Sequence, residues 1–320
     1  MWIVPEHEIA DLMTPEVAFD TVEAVFGAMA RGEARNFPVV REALGHEDAL
    51  YGFKGGFDAA TPTLGLKAGG YWPHNHARGI INHQSTVFLF DADTGRVSAA
   101  VGGNLLTAMR TAAAAAVSIK YLAPDGTRVL GMIGAGHQSA FQMRAAARAG
   151  AFEKVIAWNR TPEMLGRLAD TAADLGLPFE AVELDRLGAE ADVIISITSS
   201  FAPILMNAHI TGQTHIAAMG TDTRGKQELD TALVARARLF TDEIAQSVGI
   251  GEFQHATARD LIAEADIATI GDVVTGTHPG RGNAELTIFD GTGVGLQDLA
   301  VASAVVELAK AHGKAIDIEI

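Results

Sequence analysis

Val129-Leu130-Gly131-Met132-Ile133-Gly134-Ala135-Gly136-His137-Gln138-Ser139-Ala140 is the stretch that decides the fold. An apolar strand runs into a G-x-G-x-x-S turn, with Ser139 where a third glycine often stands, and Phe141 and Met143 then continue at helical spacing. Two glycines permit a tight turn and let the backbone approach a pyrophosphate, while the following helix points its positive N-terminus at the phosphate charge. G-x-G alone is weak, since any α/β fold can hold such a turn. Here a strand precedes it, a helix follows, and a second apolar strand begins near Val155, which is the context of a dinucleotide site.

Working outward, strands are expected at 128–133, 154–158, 192–198, 215–219, 238–241 and 286–290, separated by segments rich in Ala, Leu, Glu and Arg. That alternation is the signature of a parallel sheet. The second strand ends at Trp158-Asn159-Arg160-Thr161, without the acid that commonly bonds an adenine ribose. Asn159 is suited to ribose hydroxyls and Arg160 to a 2′-phosphate, so these residues by themselves favour NADP or dual use. Thr161-Pro162-Glu163 also reads as a helix start capped by Thr161. Thr198-Ser199-Ser200 falls at the carboxyl edge of the sheet, where it contacts a cofactor or caps a helix.

Upstream the pattern differs. Thr14-Pro15-Glu16 starts an amphipathic helix. Residues 50–101 read as strands, and Tyr51-Gly52-Phe53-Lys54-Gly55-Gly56 is echoed by Leu64-Gly65-Leu66-Lys67-Ala68-Gly69-Gly70. In one sheet both lysines would project from the same side. A helix is expected over 105–122 and a last one over 295–311. The fold expected is α/β: a Rossmann-type dinucleotide-binding domain at 123–293, and a discontinuous α+β domain from 1–122 and 294–320.

Bulk properties narrow the function. A chain of 320 residues suggests two domains. A net charge of −15 opposes nucleic acid, though not a small anion in a cation-lined cleft. The absence of cysteine excludes disulfides, thiolate nucleophiles and Cys-based metal sites. No secretory leader and no run of about 18 apolar residues is seen, so a cytoplasmic protein without a membrane partner is expected.

Five residues carry the chemistry: Arg41, Lys54, Lys67, Arg110 and Asp222. Arg110 lies early in an apolar helix, where the dipole opposes a cation. A partner anion explains it, either a ligand carboxylate or phosphate, or an internal aspartate. Asp222, after a buried-looking strand, is placed to shuttle a proton or to cap a following helix that holds Glu228 and Leu229. His74, His76 and His83 have loose ligand spacing within a loop, so no metal is expected; His83 is a candidate substrate contact.

Four segments stand together in order: Leu64-Gly65-Leu66-Lys67, Leu106-Thr107-Ala108-Met109-Arg110-Thr111-Ala112, Gly134-Ala135-Gly136-His137-Gln138, and Gly220-Thr221-Asp222-Thr223-Arg224-Gly225-Lys226-Gln227-Glu228-Leu229. Jointly they resemble the ornithine cyclodeaminase/μ-crystallin family along nearly the whole chain. The resemblance implies a homodimer whose discontinuous domain binds substrate and dimerises. It implies that Lys67 and Arg110 hold a substrate carboxylate, with Lys67 also a candidate proton donor, that Asp222 is the catalytic acid, and that Arg41 binds substrate. Thr86, Arg110, Thr111, His137, Gln138, Asn159, Ser199, Met219 and Lys226 would lie near the cofactor and Thr292 and Gly293 would close over its nicotinamide end, to which the motif and second strand read above add Gly134, Gly136 and Arg160.

The family holds several chemistries. Ornithine, with its second ammonium, needs a nearby acid, whereas this chain places Lys54 beside Lys67. Convergence of Arg41, Lys54, Lys67 and Arg110 would suit a ligand with two carboxylates. Gly69-Gly70-Tyr71-Trp72-Pro73-His74-Asn75-His76 is similar to the branch of the family that reduces iminosuccinate to L-aspartate, which implies an NAD(P)H-dependent imine reductase. That likeness ranks NAD first, with NADP open. The alternatives are a cyclodeaminase-type lyase and an alanine dehydrogenase or ketimine reductase acting on another small imino acid.

Overall fold

Alternating apolar residues and close turns form the first sheet. Its strands are β1 (Trp2–Val4), β2 (Ala34–Asn36), β3 (Val40–Ala43), β4 (Leu50–Asp58), β5 (Thr63–Tyr71), β6 (His83–Phe90) and β7 (Val97–Gly102), joined by a short C-terminal strand, Ile316–Asp317. β4 to β7 form an antiparallel meander, and β1 adds to β7 in parallel. The computed structural model describes residues 1–319 and divides into two units: Met1–Arg110 with Val294–Ile320, and Thr111–Gly293.

In the first unit the two faces of the meander differ. Lys54 pairs across β4–β5 with Lys67, and Lys67 pairs across β5–β6 with Val87, so these three share a face with Val101. All four are buried. That face packs against the C-terminal helix, Gly295–Ala311, which in turn packs on α1 (Pro15–Ala30). Glycine makes the close seating possible: a Cβ at Gly65 would stand 2.9 Å from Leu299 Cδ2, and one at Gly56 2.9 Å from Leu296 Cγ. The opposite face carries Phe53, Leu64, Leu66, Phe88 and Phe90, all half-buried or exposed.

The second unit holds β8 (Val129–Ile133), β9 (Lys154–Trp158), β10 (Phe179–Ala181), β11 (Val193–Ser196), β12 (Phe201–Leu205), β13 (Thr214–Ala218), β14 (Gln227–Leu229), β15 (Arg238–Thr241), β16 (Ile267–Thr269) and β17 (Leu286–Asp290). Eight of them form one sheet in the order β10-β9-β8-β11-β13-β17-β15-β16, with every neighbouring pair parallel. A parallel sheet covered on both faces needs continuous apolar strands, and Val193 to Ser196 and Thr214 to Ala218 are buried throughout. Strand order reverses at β8, so the loops after β8 and β11 lie at the switch point of a Rossmann-type domain.

Two short strands depart from the sequence expectation. β12 and β14 pair with each other outside the main sheet. The helix expected to hold Glu228 and Leu229 does not form there: both belong to β14, and the helix begins at Thr231, capped by Asp230. Among the described residues no helix is long and apolar enough to cross a membrane.

Candidate functional site

The first unit gathers its cations around one buried carboxylate. Helix α2 (Asn104–Leu122) brings Thr107 and Arg110 to Lys67, and the C-terminal helix brings Gln297 and Asp298. Lys67 Nζ donates to Asp298 Oδ1 at 2.9 Å and to Thr107 Oγ1 at 3.2 Å. Arg110 Nε donates to the same Asp298 Oδ1 at 3.0 Å, and Nη1 to Gln297 Oε1 at 3.1 Å. The internal aspartate that the sequence allowed as a partner for Arg110 is therefore present. Lys54 is close enough to stabilise the Asp298 anion, and Arg41 close enough to disfavour the Lys67 cation.

These charges set the protonation of the site. Burial holds the Lys67 ammonium down to about 8, despite the opposing pull of Asp298, and Arg110 and Arg41 lower it further. Desolvation thus outweighs the ion pair. For Asp298 the balance is reversed: burial raises its pKa, but Arg110, Lys67 and Lys54 together bring it below the ordinary value. On β6, His83 shares the Lys67 face four residues from Val87, whereas Thr86 points from the opposite face.

In the second unit the glycine loop leads into helix α3 (Ser139–Ala149). Gly134 has φ +103°, and a Cβ there would stand 2.6 Å from Ile197 O, so only glycine suits the position. A Cβ at Gly136 would meet nothing within 4 Å. The backbone is thus closed on the sheet side and open above the turn, as a pyrophosphate requires. Ser139 fills the third glycine position and donates to Gly136 O at 2.7 Å. Asn159 accepts from Ala135 N at 3.2 Å and donates to Thr161 O at 2.7 Å, so its amide steadies the loop. Thr161 makes no side-chain cap, contrary to the sequence expectation. Arg160 and Ser199 are exposed. His137 is held below the usual histidine range by burial and by Arg167.

Asp222 lies on the loop after β13 and caps no helix. Its Oδ1 accepts from Lys226 Nζ at 2.9 Å and Thr223 Oγ1 at 3.2 Å, and Lys226 also donates to Gly220 O at 3.2 Å. Thr292 Oγ1 donates to Asp242 Oδ1 at 2.6 Å, and Gly293 N to Asp242 Oδ2 at 2.8 Å. Met219 is buried, packing where a Gly291 Cβ would be.

Sequence reasoning missed the acids that hold these loops. Glu228 accepts from Ser196 Oγ (2.7 Å), Thr198 N (2.6 Å) and Gly220 N (2.9 Å), tying the Ser199 loop to the Asp222 loop. Glu252 accepts from Thr221 Oγ1, Glu228 N and Leu229 N. Burial and the neighbouring Glu228 push Glu252 up to about 8. Asp298, likewise, was not singled out.

The chain matches the profile of the ornithine cyclodeaminase/mu-crystallin family over residues 3–313. It is 76% identical over 320 residues, spanning all of both chains, to the iminosuccinate reductase of Paracoccus denitrificans (strain Pd 1222). The crystal structure of that reductase in complex with NAD+ superposes with a TM-score of 0.97, covering 100% of this chain and 99% of the other. An archaeal alanine dehydrogenase dimer with bound NAD superposes with a TM-score of 0.94 at 29% identity, covering 100% of both chains.

Proposed function

Because this chain belongs to the ornithine cyclodeaminase/mu-crystallin family, with a Rossmann-type domain and a full-length likeness to one of its reductases, we propose that it is an NAD-dependent imine reductase that converts iminosuccinate to L-aspartate. The observation that carries this reading is the 76% identity to an iminosuccinate reductase across the whole chain. The cation cluster supplies its physical reason. Lys54, Lys67 and Arg110 all act on the one buried carboxylate of Asp298, and Arg41 acts on Lys67, a gathering of cations that suits a substrate with two carboxylates. A cyclodeaminase substrate would bring a second ammonium into that field.

The residues fit the cofactor. Gly134, Gly136, His137 and Gln138 would hold the pyrophosphate, with Asn159 and Arg160 toward the adenosine and Thr86, Thr111, Ser199, Met219, Lys226, Thr292 and Gly293 near the rest. When bound, NADH supplies the hydride that reduces the imine carbon. The chain's own groups do the remainder. Arg110, Lys54 and Arg41 fix the carboxylates, with His83 a further contact, and so position the C=N bond. Lys67, poised near neutral pH, keeps the imine nitrogen protonated, so the carbon accepts hydride and the product is an amine. Asp222 would complete the proton path, its charge balanced by Lys226.

The protein would act in the cytoplasm as a homodimer. The half-exposed apolar face of the meander, with Phe53, Leu66 and Phe88, is the surface a second copy would cover, and the alanine dehydrogenase neighbour is a dimer. The test of function is NADH oxidation with iminosuccinate generated in the cuvette, beside pyruvate plus ammonia, a cyclic imine and ornithine. Oxidation fastest with iminosuccinate is expected. Ammonia and proline from ornithine, with no imine reduced, would overturn the reading.

A further inference from the structure

Asp298 is the fourth residue of the C-terminal helix and has no exposed surface. Both of its carboxylate oxygens stand 2.9 Å from Lys67 Nζ, and Oδ1 also accepts from Arg110 Nε at 3.0 Å. Its neighbour Gln297, equally buried, accepts from Arg110 Nη1. The helix start is held at this depth by glycines: a Cβ on Gly295 would be 2.6 Å from Gly55 N, next to Lys54. One turn of helix therefore fixes the direction of two cations that lie 188 and 231 residues away in sequence.

We infer that Asp298 is the positioning residue of the substrate site: it aims the Lys67 ammonium and the Arg110 guanidinium and serves as the internal counter-ion that keeps Lys67 charged before any substrate arrives. Among the described residues, the groups facing Lys67 leave this task to no other anion. α2 contributes Arg110 and Thr107, β3 contributes Arg41, β4 contributes Lys54 and β6 contributes Val87. The carboxylate comes from the C-terminal helix alone. A buried ammonium among other cations loses its proton unless an opposite charge is held against it. Asp298 meets that need, and sharing its oxygens between Lys67 and Arg110 couples the acid of the reaction to the clamp on the substrate carboxylate.

This inference rests on the proposed roles of Lys67 and Arg110, so its test includes a readout that needs no turnover. Competitive acetylation with acetic anhydride, followed by mass spectrometry, reports the pH midpoint of the Lys67 amine in the substrate-free protein. Asp298→Asn is expected to move that midpoint down by roughly one pH unit or more. The descending limb of its pH–rate profile should shift by the same amount, and KM for iminosuccinate should rise because Arg110 is no longer aimed. Asp298→Glu keeps the charge and changes only its reach. It should leave the midpoint in place while raising KM, and it carries the test if the asparagine variant does not fold. A midpoint unchanged in Asp298→Asn, or displaced equally in Asp298→Glu, overturns the inference. A midpoint that shifts as expected in a protein that reduces no imine would instead overturn the functional reading and leave the role of Asp298 standing.

Discussion

Lys54→Met is the substitution that separates a dicarboxylate site from a monocarboxylate one. Lys54 lies directly opposite Lys67 across β4–β5, and both are only 7% exposed. Side chains paired in this way begin about 5 Å apart. Two ammonium groups on neighbouring buried side chains repel each other. Asp298 relieves part of that repulsion, and a second anion arriving with the substrate relieves more. A charge-assisted hydrogen bond from Lys54 to the distal carboxylate is worth about 1.5–3 kcal/mol, so methionine, which keeps the apolar stem, should lower kcat/KM for iminosuccinate by about 10- to 150-fold. Pyruvate plus ammonia offers no second carboxylate, and its slower turnover should change by less than about threefold. The assay is initial-rate NADH oxidation with each substrate at neutral pH. An equal fall with both substrates, or no change with either, would refute the argument that Lys54 reads the second carboxylate.

Other outcomes follow from the same geometry. Lys67→Ala should abolish turnover at pH 7, and in the unaltered protein kcat/KM should decline as pH rises through about 8, where Lys67 of the substrate-free protein loses its proton. Gly136→Val, whose side chain enters open space, should leave the melting temperature unchanged and weaken NADH binding at least about 100-fold by fluorescence titration. Glu228→Ala leaves Ser196 Oγ, Thr198 N and Gly220 N without their acceptor, and should cost about 3 kcal/mol or more in urea unfolding. Glu252 has a folded pKa raised from 4.5 to about 8. It therefore contributes stability that is fully present below about pH 4.5 and lost as pH rises through 8, and Glu252→Gln should flatten that part of the stability–pH curve.

Much of this was legible in the chain because the signals are local. The Gly134-Ala135-Gly136 turn needs only its flanking strand and helix to be read, and Lys54 and Lys67 share a face because two echoing segments form adjacent antiparallel strands. The strands expected at 154–158, 238–241 and 286–290 match Lys154–Trp158, Arg238–Thr241 and Leu286–Asp290, whose apolar runs are bounded by turn residues. What escaped was long-range. Asp298 looks like an ordinary acid favoured by a helix dipole, and nothing nearby reveals that it neutralises Lys67 and Arg110. Glu228 was expected on a helix following Asp222. The short parallel pairing with Phe201–Leu205 overrides that propensity, and the Glu228 carboxylate turns inward to bind three donors.

In the proposed reaction hydride passes to the imine carbon of a dicarboxylic substrate held by the cations around Asp298. The most direct test is a single incubation of the protein with iminosuccinate and NADH carrying deuterium at C4 on the transferred face, with the product followed by proton NMR and mass spectrometry. L-Aspartate with one deuterium at Cα and none at Cβ is expected. Aspartate without deuterium, or consumption of NADH without aspartate, would contradict it.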